Sequence, residues 1–491
     1  MIRGGRLYWP GRVDAAPEVG DAEPAQFDRW RNVIVGVTVF LYLLLNWGFQ
    51  QVRIPPGGSF GLPVGELTLF LVLLTISYTS VLGKLSRSVL LLPFLVWWSF
   101  GLGRAVFDSM VYGPWALRDA AHVIESLFLL VGFVFAAHPK TLERFFIWAP
   151  RLMFVGVAYA MMYPFQWDIM LNSPTIMTPN GFEAPIFGVM TNSAYWAIIA
   201  AVYLLLFHSR SFLATLFAVL LLGAVVAMFQ ARMLYLTTIA IFAFLAVYRR
   251  ASIPNMALLG YLGVFILALL AVTDLRIEGR LGTSFSPAFL VAHFKAIFGW
   301  CDPTNIELAS VCSAAAGVDQ RLDWWINIYE KMIANPFYVL LGLGYGQVLT
   351  DFYDPGGNPV REPHNSYISI IARTGVIGAL AWIGMMLALF RRWHQIVRHC
   401  RELRWREGES WMLLFMCYFI ALWVFSLGED GFEKPYNIIP FYFLWGVVLR
   451  FGRLLDQGRI GPAVLGAVEP EPYHPHPSAP ARRDLPRLSG R

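Results

Sequence analysis

FLATLFAVLLLGAVVAMF, residues Phe212–Phe229, is an apolar run of 18 residues without a charged side chain. The hydrocarbon core of a bilayer is about 30 Å thick, and a helix of roughly this length and composition crosses it. A second apolar run, Met233–Tyr248, begins only a few residues later, and Arg232 lies between the two. The pair predicts two neighbouring membrane helices joined by a tight connection.

The composition of the whole chain agrees with this interpretation. Of 491 residues, 57% are hydrophobic and only 14% are charged, whereas a soluble domain carries about 25% charged residues. A large soluble core does not explain the deficit, because a soluble protein still needs a charged surface. The net charge of +6 is spread between apolar runs, which indicates membrane topology and no nucleic-acid partner.

Twelve apolar runs predict an all-α integral membrane protein with about twelve transmembrane helices in the lipid bilayer. The runs are Val33–Phe49, Leu67–Leu82, Val89–Phe107, Ala120–Ala137, Phe145–Phe165, Ala194–Phe207, Phe212–Phe229, Met233–Tyr248, Met256–Val272, Ile368–Phe390, Met412–Phe425 and Ile438–Leu449.

Lys and Arg residues in the short connections predict the orientation. They recur in alternate connections, from Lys84 and Arg87 to the run of arginines between Arg391 and Arg406, while 166–190 has none. The positive-inside rule then puts both termini in the cytoplasm. We expect no cleavable signal peptide. The predicted regions are 1–30, a cytoplasmic segment; 31–273, nine spans; 274–364, one long outer loop; 365–452, three spans; and 453–491, a disordered cytoplasmic tail.

The long outer loop is the predicted place for an active surface, since connections of this length are usually functional. Within it, Asp319–Ala334 has helical spacing and predicts an amphipathic helix on the membrane surface. Its apolar face would hold Leu322, Trp325, Ile326, Tyr329 and Met332. Cys301 and Cys312 lie in the same loop, and a local disulfide is favoured over two free thiols if the compartment is oxidising.

Several charged residues lie near the outer ends of the predicted spans, and their presence there needs a structural or functional explanation. Arg232 is predicted to be a fixed cation for an anionic ligand, the alternative being an arginine that reaches outer headgroups. Arg321 begins the amphipathic helix. The alternative to a functional role is a solvated surface arginine that pairs with the neighbouring Asp323. Arg276 and Arg280 follow a span directly, where anchoring at the interface is the simpler role and substrate binding the second.

His364 follows Pro363 and directly precedes a predicted helix. A helix N-terminus disfavours imidazolium, so we expect a neutral ring that can accept a proton, the alternative being a helix cap. Arg118, His122 and Glu125 share one helical face, as a buried polar network or as part of an acceptor site. The segment 429–434, with its acidic residues and Lys434, is expected to be mostly solvated.

These residues belong to a series of motifs around the long loop. The series is Arg232-x-x-x-Leu236, Arg321-x-Asp-Trp-Trp, Asn335-Pro336, Gly342-x-Gly344-x-Gly346, His364-Asn365-Ser366-Tyr367 and Arg373-Thr-Gly375-x-x-Gly378. In order and placement the series resembles the O-antigen ligase and polymerase superfamily, over about 194–389. Gly342–Gly346 by itself lacks the lysine and the strand–helix context of a P-loop.

The resemblance implies a GT-C-like fold in the bacterial inner membrane, with the active site facing the periplasm. It implies inverting transfer of a glycan from undecaprenyl diphosphate to lipid A–core or to a lipid-linked glycan, with no metal or other cofactor. A chain-length regulator is a further partner that the sequence leaves open. His364, Arg232 and Arg321 would be catalytic. The residues implied to bind substrate are Arg276, Arg280, Trp324, Arg361, Asn365 and Tyr367.

Two other classes of function compete with a transferase. A multi-span secondary transporter or flippase, for a glycolipid or an anionic solute, also suits twelve spans with both ends inside, but no internal repeat is visible. A membrane scaffold accounts for the spans but not for the outer Arg and His residues.

Overall fold

The computed structural model describes residues 26–54, 61–76, 91–178, 183–250, 253–273, 309–353 and 359–462, with a few isolated positions between them. The described chain is mostly helical. The first helices are α1 (Gln26–Leu45), α2 (Trp47–Gln50), α3 (Val64–Thr75), α4 (Leu91–Tyr112), α5 (Pro114–Asp119), α6 (Ala121–Ile124), α7 (Phe128–Phe135), α8 (Pro139–Ala160) and α9 (Gln166–Leu171).

The later helices are α10 (Ala194–Phe207), α11 (Phe212–Ala224), α12 (Arg232–Tyr248), α13 (Ile253–Thr273), α14 (Ala309–Ile333), α15 (Pro336–Leu341), α16 (Ser366–Glu402), α17 (Arg406–Phe425) and α18 (Pro435–Asp456). Single turns of 3₁₀ helix lie at Glu125–Leu127, Tyr163–Phe165, Thr191–Ser193 and Gly431–Glu433, and a π turn, Val225–Phe229, continues α11. Three antiparallel pairs of short strands are β1 (Arg53–Ile54) with β2 (Leu62–Pro63), β3 (Thr175–Met177) with β4 (Glu183–Pro185), and β5 (Ile277–Glu278) with β6 (Ser284–Phe285).

Several of these helices suit a membrane. Among the described residues, four are long and apolar enough to cross one: Phe212–Phe229, Ser366–Glu402, Arg406–Phe425 and Pro435–Asp456. A fifth is added if Ala121–Phe135 and Pro139–Ala160, which bend by 111°, form one broken span. A helix overlaps each of the twelve apolar runs of the sequence. The number of spans itself stays a prediction.

The centre of the bundle is α18, whose side chains are almost all buried. It packs directly on α7, because each helix has a glycine where the other's backbone passes. A Cβ on Gly132 would lie 1.9 Å from the Phe443 oxygen, and one on Gly446 would lie 2.1 Å from the Leu129 oxygen. Small residues of this kind let membrane helices approach closely.

The bundle has two ends that matter for function. The connection 426–434, between α17 and α18, lies beside the N-terminus of α16, and we call this end the site end. At the other end, the basic end, α16 reaches the turn at 403–405. There Arg392 pairs with Asp456, and Arg401 with Glu409 at 2.8 Å.

The amphipathic helix predicted within the long loop is present as α14. Ile328 and Met332 pack on Leu343 and Leu349, and Trp324 is also buried. Of the residues predicted to form an apolar face on the membrane surface, Leu322, Ile326 and Tyr329 are exposed, whereas Met332 is buried; the membrane contact itself stays a prediction. The helix therefore has two apolar sides, one against the protein and one uncovered, which a single-face pattern does not describe.

Gly342–Gly346 docks against a kink in α16. Gly375 interrupts the helix with φ 63°, and Gly342 approaches so closely that a Cβ there would lie 2.4 Å from the Arg373 carbonyl carbon. The Leu343 amide donates to the Ala372 oxygen at 2.7 Å, and the Gly344 amide to the Arg373 oxygen at 3.1 Å. The glycines therefore serve close packing of backbone on backbone.

Candidate functional site

The N-terminus of α16 is fastened to the 426–434 connection. Asn365 caps the helix, since its Oδ1 accepts from the Tyr367 and Ile368 amides, and its Nδ2 donates to the Leu427 oxygen at 2.9 Å. The Ser366 hydroxyl donates to buried Glu433 and accepts from the Phe432 amide. These bonds fix the residue just before the cap, His364, against the same connection.

His364 has a strained backbone and a directed ring. Its φ of 50° lies in the left-handed region, which a non-glycine residue adopts rarely. Nδ1 lies 3.0 Å from Asp430 Oδ2 and 3.4 Å from Glu429 Oε2. The side chain is 40% exposed, and the contacts to both carboxylates are made by Nδ1 and not by Nε2. The second nitrogen can therefore meet a ligand.

The two carboxylates change the charge of His364. Hydrogen bonding to Asp430, and then to Glu429, raises the pKa of the imidazole to about 9 against the opposing effect of burial. The ring therefore carries a proton at neutral pH, so the expectation of a neutral ring is wrong. The helix end does disfavour imidazolium, but two anions at hydrogen-bonding distance outweigh a partial positive charge.

Arg321 reaches the same connection from α14. Its Nη1 donates to the Gly428 oxygen at 2.6 Å, and its Nη2 lies 3.3 Å from Glu429 Oε1, so Glu429 rather than Asp323 is its acidic partner. Arg232, at the start of α12, is close enough for Arg321 to repel its charge. We call Arg321, His364, Glu429 and Asp430 the open cluster. The structure thus brings together all three residues predicted to be catalytic.

Two tryptophans of α14 hold the segment that carries His364. Trp325 Nε1 donates to the Pro363 oxygen at 2.9 Å. The ring of Trp324 lies 5.6 Å from that of His364 and is 6% exposed. Trp324, predicted to bind substrate, thus buttresses the imidazole.

A second group of charges is closed to solvent. Asp119 Oδ2 lies 2.9 Å from Arg373 Nη1 and 3.0 Å from Arg361 Nη2, and it accepts from the Gly346 amide. The side chains of Asp119 and Arg373 are fully buried. We call Asp119, Arg361 and Arg373 the closed cluster; it ties α5, the Gly342–Gly346 turn and α16 into one unit.

The acidic residues before α18 are not solvated as expected. Asp430 and Glu433 are 3% and 7% exposed. Burial, and then the charge of Asp430, raises the pKa of Glu433 to about 8. Glu362 pairs with Lys434 at 2.8 Å; burial opposes its ionisation, but the charges of Lys434 and Arg118 outweigh it and lower its pKa. The sequence missed this because a short charged connection looks like any exposed turn.

The predicted face of Arg118, His122 and Glu125 is divided. The helix breaks at Ala120, and Arg118 turns outward to Glu362 at 3.3 Å. His122 and Glu125 are buried, with His122 Nε2 3.4 Å from the Tyr345 hydroxyl. Within the described chain, neither carboxyl oxygen of Glu125 has a hydrogen-bonding partner. Of the two interpretations, the buried polar network fits His122.

Three residues predicted to bind substrate are engaged within the protein. Arg361 lies over the Trp115 ring at 4.3 Å and belongs to the closed cluster. Asn365 is the cap of α16, and the Tyr367 hydroxyl donates to the Trp423 oxygen at 2.7 Å. Arg276, Arg280 and Cys301 lie outside the described residues, so their predicted roles stay predictions. Among the described residues, no group of His, Cys, Asp and Glu has the arrangement of a metal site.

Asp430 is the residue of the candidate site that sequence reasoning missed. The available signal was its position next to Glu429 at a predicted outer helix end, where a histidine from another span could reach it. No known family model matches the sequence. No curated protein matches it either.

Proposed function

We propose that this chain is a glycan transferase of the bacterial inner membrane. It takes a saccharide from undecaprenyl diphosphate and joins it to a glycan acceptor, as an O-antigen ligase or a polysaccharide polymerase. The observation that carries the proposal is the open cluster, where a strained histidine held by two carboxylates meets Arg321 at one end of the bundle. Arg232 adds a second guanidinium nearby.

The proposed topology has twelve spans, both termini in the cytoplasm, and the site end facing the periplasm. It rests on the alternation of basic and nearly uncharged connections in the sequence. The donor glycan would then be displayed on the same side as His364. The proposed donor is attached to a lipid in the membrane. A site at one end of an apolar helical bundle is therefore within reach of that donor.

The chemistry assigns one task to each group. The acceptor hydroxyl attacks the anomeric carbon, the bond from that carbon to the diphosphate oxygen breaks, and the diphosphate leaves with the electron pair. Arg321 and Arg232 stabilise its growing negative charge. The hydroxyl proton passes to Nε2 of His364 in its neutral form. Asp430 holds Nδ1, so that the free nitrogen faces the acceptor.

Transfer by the purified protein tests this proposal. The protein is incubated with a lipid-linked glycan and candidate acceptors, and the joined product is followed on a gel. We expect His364→Ala to lose about 10²–10⁴ of the rate. Arg391→Ala, at the basic end, is the matched control and should transfer normally. Undiminished transfer by His364→Ala would remove the basis of the proposal.

The orientation has its own test. In a background where Cys301 and Cys312 are replaced by Ser, Glu330→Cys and Arg398→Cys put one exposed thiol near each end of the bundle. In intact spheroplasts, an impermeant maleimide should label the first variant and not the second. Labelling of the second alone would place His364 on the side away from the donor glycan.

A proton-coupled transporter or flippase is the second candidate, because two acidic residues have unpaired carboxyl oxygens inside the bundle. Glu125 is fully buried, and its carboxyl group and Oε2 of Glu66 have no hydrogen-bonding partner in the described chain. Ionisable groups inside a membrane commonly mark a path for ions or protons. Purified protein in liposomes that moves a glycolipid without joining sugars would favour this function over transfer.

A further inference from the structure

An apolar groove runs along the bundle from its basic end to the first turn of α18, beside the 426–434 connection. It has a volume of about 600 Å³ and lies between α1, α8, α10, α17 and α18. Contacts between neighbouring helices mark the two ends of the groove. Asn46 donates to Ser193 at one end, and near the other Phe146 of α8 stacks on Trp411 of α17 at 4.6 Å. An apolar groove of this size can hold a lipid acyl chain.

The two ends of the groove differ in charge. Arg29 in the first turns of α1 and Arg144 in the first turns of α8 line one end, with Asn32 and Thr141 beside them. The opposite end has the neutral residues Asn46, Asn192 and Asn437. Among the described residues that line the groove, none is acidic. A ligand with one anionic end and a long apolar body matches this arrangement.

The groove is also open to one side at its arginine end. Val33, Val37 and Trp148 line it and are 55%, 51% and 54% exposed. Asn32, deeper in the wall, has a buried Oδ1 without a hydrogen-bond donor in the described chain. A molecule entering from the adjacent leaflet can thus place one chain in the groove, a second against the exposed rim, and a headgroup donor near Asn32.

We propose that this groove binds one anionic glycerophospholipid, with its phosphate between Arg29 and Arg144 and an acyl chain between α1 and α8. Guanidinium groups suit phosphate because they offer parallel N–H donors. The exposed apolar rim formed by Val33, Val37 and Trp148 offers a surface for a second acyl chain, which a glycerophospholipid has and a polyprenyl phosphate lacks. The phosphate would lie at the arginine end of the groove, and the open cluster lies beyond the opposite end, next to Asn437.

Native mass spectrometry of the full-length protein in detergent tests the charge requirement. Phosphatidylglycerol is expected to form a one-to-one adduct and to bind at least about tenfold more tightly than phosphatidylcholine. The double variant Arg29→Gln/Arg144→Gln should lose that advantage, and Arg398→Gln, at an exposed arginine paired with Glu402, should keep it. Equal binding of the two lipids, or displacement of phosphatidylglycerol by a polyprenyl phosphate, would overturn the proposal.

A second variant tests the acyl-chain position with both arginines intact. Gly36 lines the groove, and a Cβ added there meets only Phe135, at an ordinary 3.8 Å. Gly36→Ala should therefore be tolerated, and the larger Gly36→Phe should occupy part of the groove and lower phosphatidylglycerol occupancy severalfold, with melting temperatures in lipid-free detergent close to that of the unchanged protein. Full occupancy in a folded Gly36→Phe protein would show that no acyl chain lies there.

Discussion

The open and closed clusters contain the same kinds of side chain, arginines around carboxylates, yet they differ in their access to solvent. In the closed cluster, Asp119 and Arg373 are fully buried, and Asp119 Oδ2 contacts both Arg361 and Arg373. In the open cluster, Glu429 has 38% of its side chain exposed and His364 has 40%. One cluster meets only protein, and the other faces outward.

The difference in exposure suits the closed cluster to a structural role and the open cluster to a chemical role. A buried charge depends on its partner, because the desolvation cost remains when the partner is removed. A partly exposed ion pair contributes little to stability, because water replaces the lost partner. Either residue of such a pair can also exchange its protein partner for a ligand.

The largest effect on folding is expected at Asp119. Asp119→Ala strips Arg361 and buried Arg373 of their carboxylate and should lower the free energy of unfolding by about 3–5 kcal/mol. Glu429→Ala removes the matching carboxylate of the open cluster and should cost about 1 kcal/mol or less. Thermal unfolding in detergent measures both. Similar losses of stability for the two variants would contradict a structural role for the closed cluster and a chemical role for the open cluster.

The next effect concerns transfer rather than folding. Arg321→Ala should lower the transfer rate by about 10²–10³, the loss typical of one donor that stabilises developing negative charge. Its melting temperature should stay close to that of the unchanged protein. Arg321→Lys keeps the charge but loses the planar fork, so part of the rate should return. A variant that folds and transfers normally would remove Arg321 from the proposed site.

The pH dependence of transfer distinguishes two roles for His364. As a general base it must be neutral, so the rate should rise with pH until about 9, the pKa of the ring. Asp430→Asn removes the strongest cause of that raised pKa and should move the rising limb to lower pH. The control, Asp351→Asn, alters an exposed carboxylate paired with Lys331 and should leave the profile in place. A rate that falls above pH 9 would instead indicate a cationic role.

The same shift affects stability in a defined direction. The imidazole pKa is raised on folding, so the stabilisation from the Asp430 contact is complete below the unfolded pKa of about 6.5. It is lost as the pH rises through about 9. Thermal unfolding should therefore show the melting temperature falling across this window, and less so in His364→Gln. A melting temperature that does not change there in either protein would contradict the raised pKa.

The sequence predicted the parts of this molecule that depend on local pattern. Each apolar run overlaps a helix, because a long run without charges has few other ways to satisfy its backbone in lipid. The helix in the long loop was also predicted, although its buried side is Trp324 and Ile328. Spacing gives the period of a helix, but the side that packs depends on elements far away in the chain.

The charges could be predicted only in part. Motif order brought His364, Arg232 and Arg321 together as candidates, and the structure places them around one connection. The contact of Asp430 with His364 joins two spans, so no local pattern reports it. The same applies to Arg373 and Asp119, which are 254 residues apart in the numbering yet form a buried pair.

The smallest effect separates capping from substrate binding at Asn365. Its Oδ1 accepts from the Tyr367 and Ile368 amides, so Asn365→Ala should cost about 1 kcal/mol of stability, whereas Asn365→Asp keeps an acceptor and much of the cap. If Asn365 only caps α16, transfer per folded molecule should change little in the Asp variant, because His364 stays in place. A large loss of transfer in a stable Asn365→Asp protein would instead require the amide to contact substrate, and the open cluster would then extend onto the first turn of α16.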